Sequence, residues 1–278
     1  MSVKLLTDSA TDINQEEAEE LGIELLSMPI TFGNEEFLDG VDLLPAEFYN
    51  KLETCTELPK TSQINTYRYE EAFEKITKDG DDVVVITISS KLSGTYRCAV
   101  QAAENFKDKV YVVDSLNATT GQKILCLYAL KLISKGLSAK EIAEELEKVK
   151  SKIHIFAMVD TLKFLKMGGR LSGAATAIGT LMSIKPIVAI IDGEVKNIGK
   201  TMGFNKAIRL LNDMIRKSNV DYDKPYGYIW SGNDKSNIEK YMESSKEFFT
   251  ENTPYYCLGA TIGTHVGHGA VGVAYFEK

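Results

Sequence analysis

The chain has 278 residues, of which 44% are hydrophobic and 26% charged, and its formal net charge is −7. A chain of this length is longer than a single hydrophobic core usually supports, so we expect two domains in a soluble globular protein. The acidic balance argues against nucleic acid or an anionic membrane as partner, because both require a basic face.

The four cysteines are widely separated and form no C-x-x-C pair, which is typical of a protein in a reducing compartment. The start of the chain lacks the apolar stretch of a signal peptide, and no segment approaches 18 uninterrupted apolar residues. We therefore expect a cytoplasmic protein without membrane insertion.

The pattern of residues 1–152 predicts a mainly parallel α/β/α domain. Short Val/Ile/Leu runs at 3–6, 83–88 and 110–113, each followed by turn residues, are typical of buried parallel strands. A further strand is expected at 23–30, before a hairpin turn at Gly33-Asn34. Helices are predicted at 14–21, 45–53, 66–79 and 95–105, followed by two more up to about residue 151, the last with a capping box of Ser138 and Glu141.

The pattern changes from residue 153, and residues 153–278 predict a second domain with a six-stranded mixed sheet. Helices at 204–218 and 233–249 are amphipathic and would cover one sheet face. The strand candidates are 155–159, 186–191, 194–198, 226–230, 256–261 and 271–276.

Three predicted strands of the first domain end on hydroxyl-rich turns, which begin at Thr7, Ser89 and Asp114-Ser115. Ligands of open parallel sheets bind at the carboxyl ends of the strands, so this rim is expected to receive the polar end of a ligand. The turn from Ser89 to Thr95 also precedes a helix, whose free N–H groups favour an anion. Simple N-capping by Ser93 explains the same residues equally well.

Three other features give weaker signals. Gly267 to Gly272 spells G-x-G-x-x-G, but only six residues follow, so no dinucleotide-binding β-α-β unit can form. His265 and His268 are three apart, yet no nearby Cys or Asp completes a metal site, so no metal is expected. The small apolar segment 174–182 suits either the wall of a narrow cavity or close helix packing.

Taken together and in order, several of these segments resemble the DegV family along the whole chain. The matching segments are Thr7-Asp8-Ser9, Lys60-Thr61-Ser62-Gln63, Ser89 to Tyr96, Gly168 to Ser172 and Ile262 to Gly267. The resemblance implies a two-domain protein that binds a long-chain fatty acid between its domains. It also implies a carrier rather than an enzyme, since a separate ATP-dependent kinase subunit phosphorylates the carboxylate.

Carried over position by position, the resemblance assigns the carboxylate to Thr61 and Ser93, with His265 as a further donor. Ser62, Arg170 and Thr264 lie in matching motifs of the binding site. We expect Met158, Ile178 and Met182 to line the tail pocket. The bound molecule would be a fatty acid such as palmitate, stearate or oleate, with no other cofactor, and the protein would be a monomer.

Elementary energetics agree with a lipid ligand. A carboxylate taken out of water needs hydrogen bonds, which Ser, Thr and His supply. Burying about 14 methylenes at roughly 0.8 kcal/mol each contributes on the order of 11 kcal/mol before association costs. Tail burial would dominate the affinity, and the hydroxyls would set the orientation.

The chain departs from the family pattern at three positions, and two other functions stay open. Ile64 and His268 stand where the family often has proline, and Met202 stands where kinase-coupled members tend to carry arginine. One alternative is an enzyme of the same fold that acts on a small anionic metabolite. The other is a regulatory lipid-sensing module without kinase coupling.

Overall fold

The computed structural model describes residues 2–173 and 183–278, and its elements are numbered in chain order over those residues. Strands of the first part are β1 (Val3–Asp8), β2 (Ile23–Leu26), β3 (Pro29–Phe32), β4 (Glu35–Leu38), β5 (Lys60–Thr61), β6 (Asp82–Thr87) and β7 (Val110–Asp114). Its helices are α1 (Gln15–Leu21), α2 (Pro45–Thr54), α3 (Thr66–Lys78), α4 (Thr95–Ala103), α5 (Thr119–Ser134) and α6 (Ala139–Val149).

The remaining elements begin at residue 153. Strands are β8 (Ile153–Met158), β9 (Leu171–Ser172), β10 (Ile184–Ile191), β11 (Glu194–Met202), β12 (Gly227–Trp230), β13 (Tyr255–Cys257) and β14 (Val271–Phe276). Helices are α7 (Lys163–Met167), α8 (Phe204–Lys217), α9 (Ser236–Ser244) and α10 (Ala260–Val266).

A parallel four-stranded sheet, ordered β2-β1-β6-β7, forms the first layer. A mixed seven-stranded sheet, ordered β13-β12-β14-β8-β10-β11-β9, forms the second. The parallel sheet and the mixed sheet confirm the predicted fold class. The second sheet has one strand more than predicted, because Leu171–Ser172 pairs with the edge of β11.

Helix α5 lies between the two sheets, where it contacts β1 and β6 on one side and β8, β12 and β14 on the other. Buried residues of both halves form one cluster around it, so the core continues across the chain from one sheet to the other. All strands of the mixed sheet follow residue 152. The domain division at 152/153 nevertheless stays a prediction, since the shared core does not separate the halves.

Local sequence signals mark the starts of three of the described helices. Asn14 and Asn65 accept backbone N–H groups as N-caps of α1 and α3, and Ser138 forms the predicted capping box with Glu141. These ends could be read from the sequence because each cap is satisfied within one turn of the chain.

Two predicted strands are wrong in detail. The strand expected at 23–30 is divided into β2 and β3, which belong to different sheets. The strand expected at 256–261 ends at Cys257, and the chain from Ala260 to Val266 forms the helix α10. Gly263 and β-branched threonines disfavour a helix there, so distant residues must stabilise it.

A small three-stranded antiparallel sheet, ordered β4-β3-β5, accompanies the two large ones. In its register Ile30 is opposite Thr61, which fixes the Thr61 backbone against β3. This sheet and α10 bring two distant parts of the chain to the same site.

Candidate functional site

A cavity of about 250 Å³ lies between the two sheets. Its wall is largely apolar and comes from both halves of the chain. The second sheet supplies Ile155, Ala157, Val159, Val188, Ile190, Val195 and Ile229, while Met28, Ile88 and Ala118 come from the first half. Polar side chains collect at one end of the cavity, which we call the mouth: Thr61, Ser62, Gln63, Ser93, Arg170 and His265.

Thr61 and His265 meet at the mouth. Thr61 Oγ1 and His265 Nε2 are hydrogen-bonded at 3.1 Å. Thr61 is held by the pairing of β5 with β3, and His265 lies on the last turn of α10. The structure therefore brings together two of the three residues predicted to bind the carboxylate.

The surroundings of His265 keep its imidazole neutral. Burial, together with the nearby Arg170 guanidinium, lowers the pKa of His265 to about 4. A Cβ on Gly168 would lie 2.2 Å from His265 Nδ1, so the absence of a side chain there makes room for the ring. A neutral ring donates through one nitrogen only, and it adds no fixed positive charge to the mouth.

Arg170 is the cation at the mouth. Its Nε donates to the Leu92 carbonyl at 3.2 Å, and one Nη donates to the Gly168 carbonyl at 2.6 Å. These bonds tie the guanidinium to the loop before α4 on one side and to the end of α7 on the other. Arg170 thus lies at the mouth together with Thr61 and His265.

Ser93 precedes α4 and takes part in a hydroxyl chain. Ser93 Oγ lies 2.9 Å from Thr95 Oγ1 and accepts the Thr95 N–H at 3.3 Å. The Ile64 N–H in turn donates to Thr95 Oγ1 at 3.3 Å. A proline at position 64 has no N–H, so this departure from the family pattern adds a donor to the chain that ends at Ser93. The N-cap position of α4 is Gly94, so Ser93 is not the helix cap; its hydroxyl bonds the Thr95 N–H, and it lines the cavity.

Ser62 and Gln63 complete the mouth beside Thr61. The Ser62 N–H donates to the Pro29 carbonyl at 2.9 Å, and Gln63 Nε2 donates to Cys98 Sγ at 3.1 Å. A Cβ on Gly94 would lie 2.0 Å from Gln63 Oε1. Glycine at position 94 therefore lets the segment after Thr61 and the turn that carries Ser93 approach each other.

Two predicted site residues lie elsewhere. Thr264 is buried, and its hydroxyl donates to the Ala260 carbonyl within α10 at 2.8 Å, so it stabilises the helix instead of lining the cavity. Met158 packs in a separate core with Ile187 and Leu211. Because side chains alternate along a strand, Ala157 and Val159 face the cavity while Met158 points to the opposite face. The predicted tail residues Ile178 and Met182 lie outside the described residues.

The hydroxyl rim expected to face a ligand is mostly internal. Thr7, Asp8 and Ser9 are buried: the Thr7 hydroxyl donates to the Ile86 carbonyl, and Ser9 Oγ accepts the Met28 N–H. Ser89 Oγ donates to the Gly193 carbonyl of the β10–β11 turn at 2.7 Å. These side chains are bonded to backbone polar groups. Among the described hydroxyl residues of the predicted rim, only Ser93 lines the cavity.

The other departures from the family pattern lie away from the mouth. His268 packs against Tyr49, with ring centroids 5.1 Å apart, and its Nδ1 is 3.9 Å from the Glu53 carboxylate. Met202 ends β11 and is 63% exposed, beside a shallow basic depression of Lys206, Arg209 and Lys240. Over residues 2–173 and 183–278, no group of three or more His, Cys, Asp or Glu is arranged to hold a metal ion.

Sequence reasoning missed most of the cavity wall. Ile155 and Ala157 of β8 and Val159 just after it occupy alternate positions, and that period of two could have separated them from Met158. Thr119 and Thr261 also line the cavity, and the backbone N–H of Thr261 is held by the buried Asp39. No local pattern marks these contacts, because they join residues far apart in the chain.

The fold and the site define an α/β protein with an apolar cavity between a parallel and a mixed sheet, closed at one end by hydroxyls and an imidazole. A family model described as "Uncharacterised protein, DegV family" matches residues 2–278. The chain belongs to the DegV family. In the part of the chain that the structure describes, no helix is long and apolar enough to cross a membrane.

Relatives and solved structures of the same family are similar to this chain along nearly its full length. A DegV domain-containing protein of Clostridium perfringens is 34% identical over an alignment of 278 positions. The alignment covers 97% of this chain and 95% of the relative. A DegV family protein from Thermus thermophilus, described as fatty acid binding, is 27% identical, with a TM-score of 0.88 and coverage of 100% of both chains. DegV from Bacillus subtilis, a fatty acid binding protein, is 30% identical, with a TM-score of 0.83 and the same coverage.

Proposed function

We propose that this protein binds a long-chain fatty acid in the cavity between the sheets, with the carboxylate at the mouth. The proposal rests on the distribution of polar groups in this cavity. Among the residues that the structure describes, the wall from both halves is apolar, and hydrogen-bonding side chains lie only at one end and around Thr119 and Thr261. The fatty acid binding described for the Thermus thermophilus and Bacillus subtilis proteins supports the same ligand class.

The mouth suits a carboxylate. Thr61 of β5 and Ser93 of the turn before α4 offer hydroxyl donors, and Arg170 supplies a positive charge. The neutral His265 can donate its Nε2–H to the Thr61 oxygen, which leaves the Thr61 proton for the carboxylate. Charge-assisted hydrogen bonds of this kind offset the loss of carboxylate hydration. Methylenes in the apolar cavity would supply most of the binding free energy.

The test is native mass spectrometry of freshly purified protein, followed by lipid extraction. We expect an adduct of fatty-acid mass and uptake of palmitate or oleate by delipidated protein. A variant that narrows the cavity, Val188→Phe, is expected to carry less of the adduct, whereas Met158→Leu on the opposite sheet face should retain it in full. Protein that is always empty and takes up neither acid would refute the proposal.

The proposed role includes presentation of the bound acid to a separate kinase subunit, so that the chain itself transfers no phosphoryl group. An open groove adjoins the mouth and carries Lys91, Arg97 and Arg170, although the chain as a whole is acidic. A phosphoryl donor that approaches the carboxylate from this side would meet these cations.

Coexpression with a fatty acid kinase subunit, followed by an assay for acyl phosphate, tests this role. Acyl phosphate formed only when both proteins and ATP are present is the expected result. Fatty acid bound without any acyl phosphate would favour lipid sensing without kinase coupling, to which the exposed Met202 also points. The protein is proposed to act as a monomer in the cytoplasm, where its four free cysteines stay reduced.

A further inference from the structure

The first turn of α10 is held by two carboxylates from the other half of the chain. Asp12 Oδ1 accepts the Gly259 N–H at 2.8 Å, and Asp39 accepts the N–H groups of Ala260 at 2.9 Å and Thr261 at 3.2 Å. Three consecutive backbone donors are thus satisfied by two side chains more than 200 residues away in the sequence. We call this arrangement the carboxylate clamp.

The clamp is buried and surrounded by other titratable groups. Asp12 also accepts the hydroxyl of Thr119, a residue of the cavity wall. Burial raises the pKa of Asp12 to about 7 and that of Asp39 above its ordinary value. The charged or titratable groups that face the pair are Asp8, Tyr49, Cys257 and Lys123, whose ammonium is paired with Glu17 at 2.7 Å.

The same helix carries part of the mouth. Thr261, Ile262, His265 and Val266 line the cavity. His265 follows Thr261 by one helical turn, so a change at the clamped end moves the imidazole. The ring has little freedom of its own, since Gly168 and Thr61 lie against its two nitrogens.

We propose that Asp12 and Asp39 are positioning residues that, through the first turn of α10, place His265 for the ligand carboxylate. The clamp explains why a short helix with a central glycine forms where the local sequence favours a strand and a turn. The inference rests on the proposed function, because it assigns these residues a role in recognition of the fatty-acid head group.

The first experiment compares palmitate with hexadecanol, which has the same chain length and no carboxylate. In Asp39→Asn and Asp12→Asn the preference for the acid over the alcohol is expected to fall on the order of tenfold, with hexadecanol affinity unchanged. In Asn212→Ala, which loses buried hydrogen bonds between α8 and the chain near Ser244, the preference should persist. Equal losses for both ligands in the clamp variants would overturn the inference.

The second experiment needs no ligand and follows the pKa of His265 by NMR. Loosening of the clamp would expose the ring and raise its pKa from about 4 toward its ordinary value. Loss of a nearby negative charge alone would lower that pKa, so a rise reports movement of the helix. An unchanged or lower pKa in both variants would overturn the clamp.

A milder variant covers the case in which the Asp variants do not fold. In Gly259→Ala the new methyl group would lie 3.1 Å from Asp39 Oδ1 and press on the clamp without removing a carboxylate. We expect the same rise in the His265 pKa and a smaller loss of acid preference. Wild-type protein that binds no palmitate would refute the proposed function, while the NMR result would still decide on the clamp.

Discussion

The hydroxyl of Thr61 lies 3.1 Å from His265 Nε2, although 204 residues separate the two in the chain. Thr61 comes from a two-residue strand of the first half, and His265 comes from a short helix of the second. Their contact closes one end of an apolar cavity. A ligand carboxylate at this point would be bound by both halves at once, so binding and association of the halves are coupled.

Thr61→Val removes one donor and keeps the shape of the side chain. We expect fatty-acid affinity to fall by about 1–2 kcal/mol, roughly tenfold, because tail burial is unaffected. Titration calorimetry with palmitate measures the change. Thr77→Val is the matched control, since the Thr77 hydroxyl bonds to the Phe73 carbonyl within α3, away from the cavity. Unchanged affinity in Thr61→Val would remove Thr61 from the site.

Gly168→Ala should displace the His265 ring. The new methyl group would lie 2.2 Å from Nδ1, closer than any real contact, so the imidazole or the end of α7 must shift. We expect weaker palmitate binding by about tenfold or more, measured as above. In Gly199→Ala the nearest atoms are 3.8 Å away, so that variant should bind like wild type. Full affinity in Gly168→Ala would show that the position of His265 does not matter for the ligand.

Val188→Phe places a larger side chain in the apolar part of the cavity. The lost space excludes the distal methylenes, and two or three of them are worth about 2 kcal/mol. Affinity for palmitate should therefore fall much more than affinity for octanoate in a competition assay. Met158→Leu, with its side chain in the other core, should show no such difference. An equal loss for both acids would place the tail elsewhere.

Asp12 gives the folding stability a defined pH dependence. Its pKa is raised from 3.8 to about 7 in the folded protein, mainly by burial, so the folded state binds a proton that the unfolded state releases above pH 4. The stabilisation of the folded state by this Asp12 proton is complete below the pKa of Asp12 in the unfolded chain. It is lost as the pH rises through about 7. The free energy of unfolding should thus fall between about pH 4 and pH 7, and less steeply in Asp12→Asn.

Urea denaturation of the wild type and of Asp12→Asn at pH 5 and pH 8 measures the direction of this pH dependence. Asp8, whose pKa is raised to about 6, acts in the same direction in both proteins, and His265, whose pKa is lowered, acts in the opposite one. Asp39 faces Asp12 and its pKa is also raised by burial, so the difference between the two proteins reports Asp12 together with its coupling to Asp39. A variant as pH-dependent as the wild type would show that Asp12 does not titrate in this range.

The amino-acid sequence by itself determined the elements whose signals are local. Apolar runs with turn residues located the strands of the parallel sheet, and Asn14 and Ser138 marked helix starts, because each signal acts within a few residues. The family motifs also pointed to Thr61, Ser93, Arg170 and His265, all of which line the cavity.

Only the tertiary structure decided which side chains share that cavity. Asp12 and Asp39 stabilise α10 across more than 200 residues, so the helix could not be predicted from its own glycine and threonines. Packing of each face of β8 against its neighbours decided which side chains line the cavity, and Met158 lies in the core on the opposite face. Burial and long-range hydrogen bonds are properties of the assembled chain, and no local pattern encodes them.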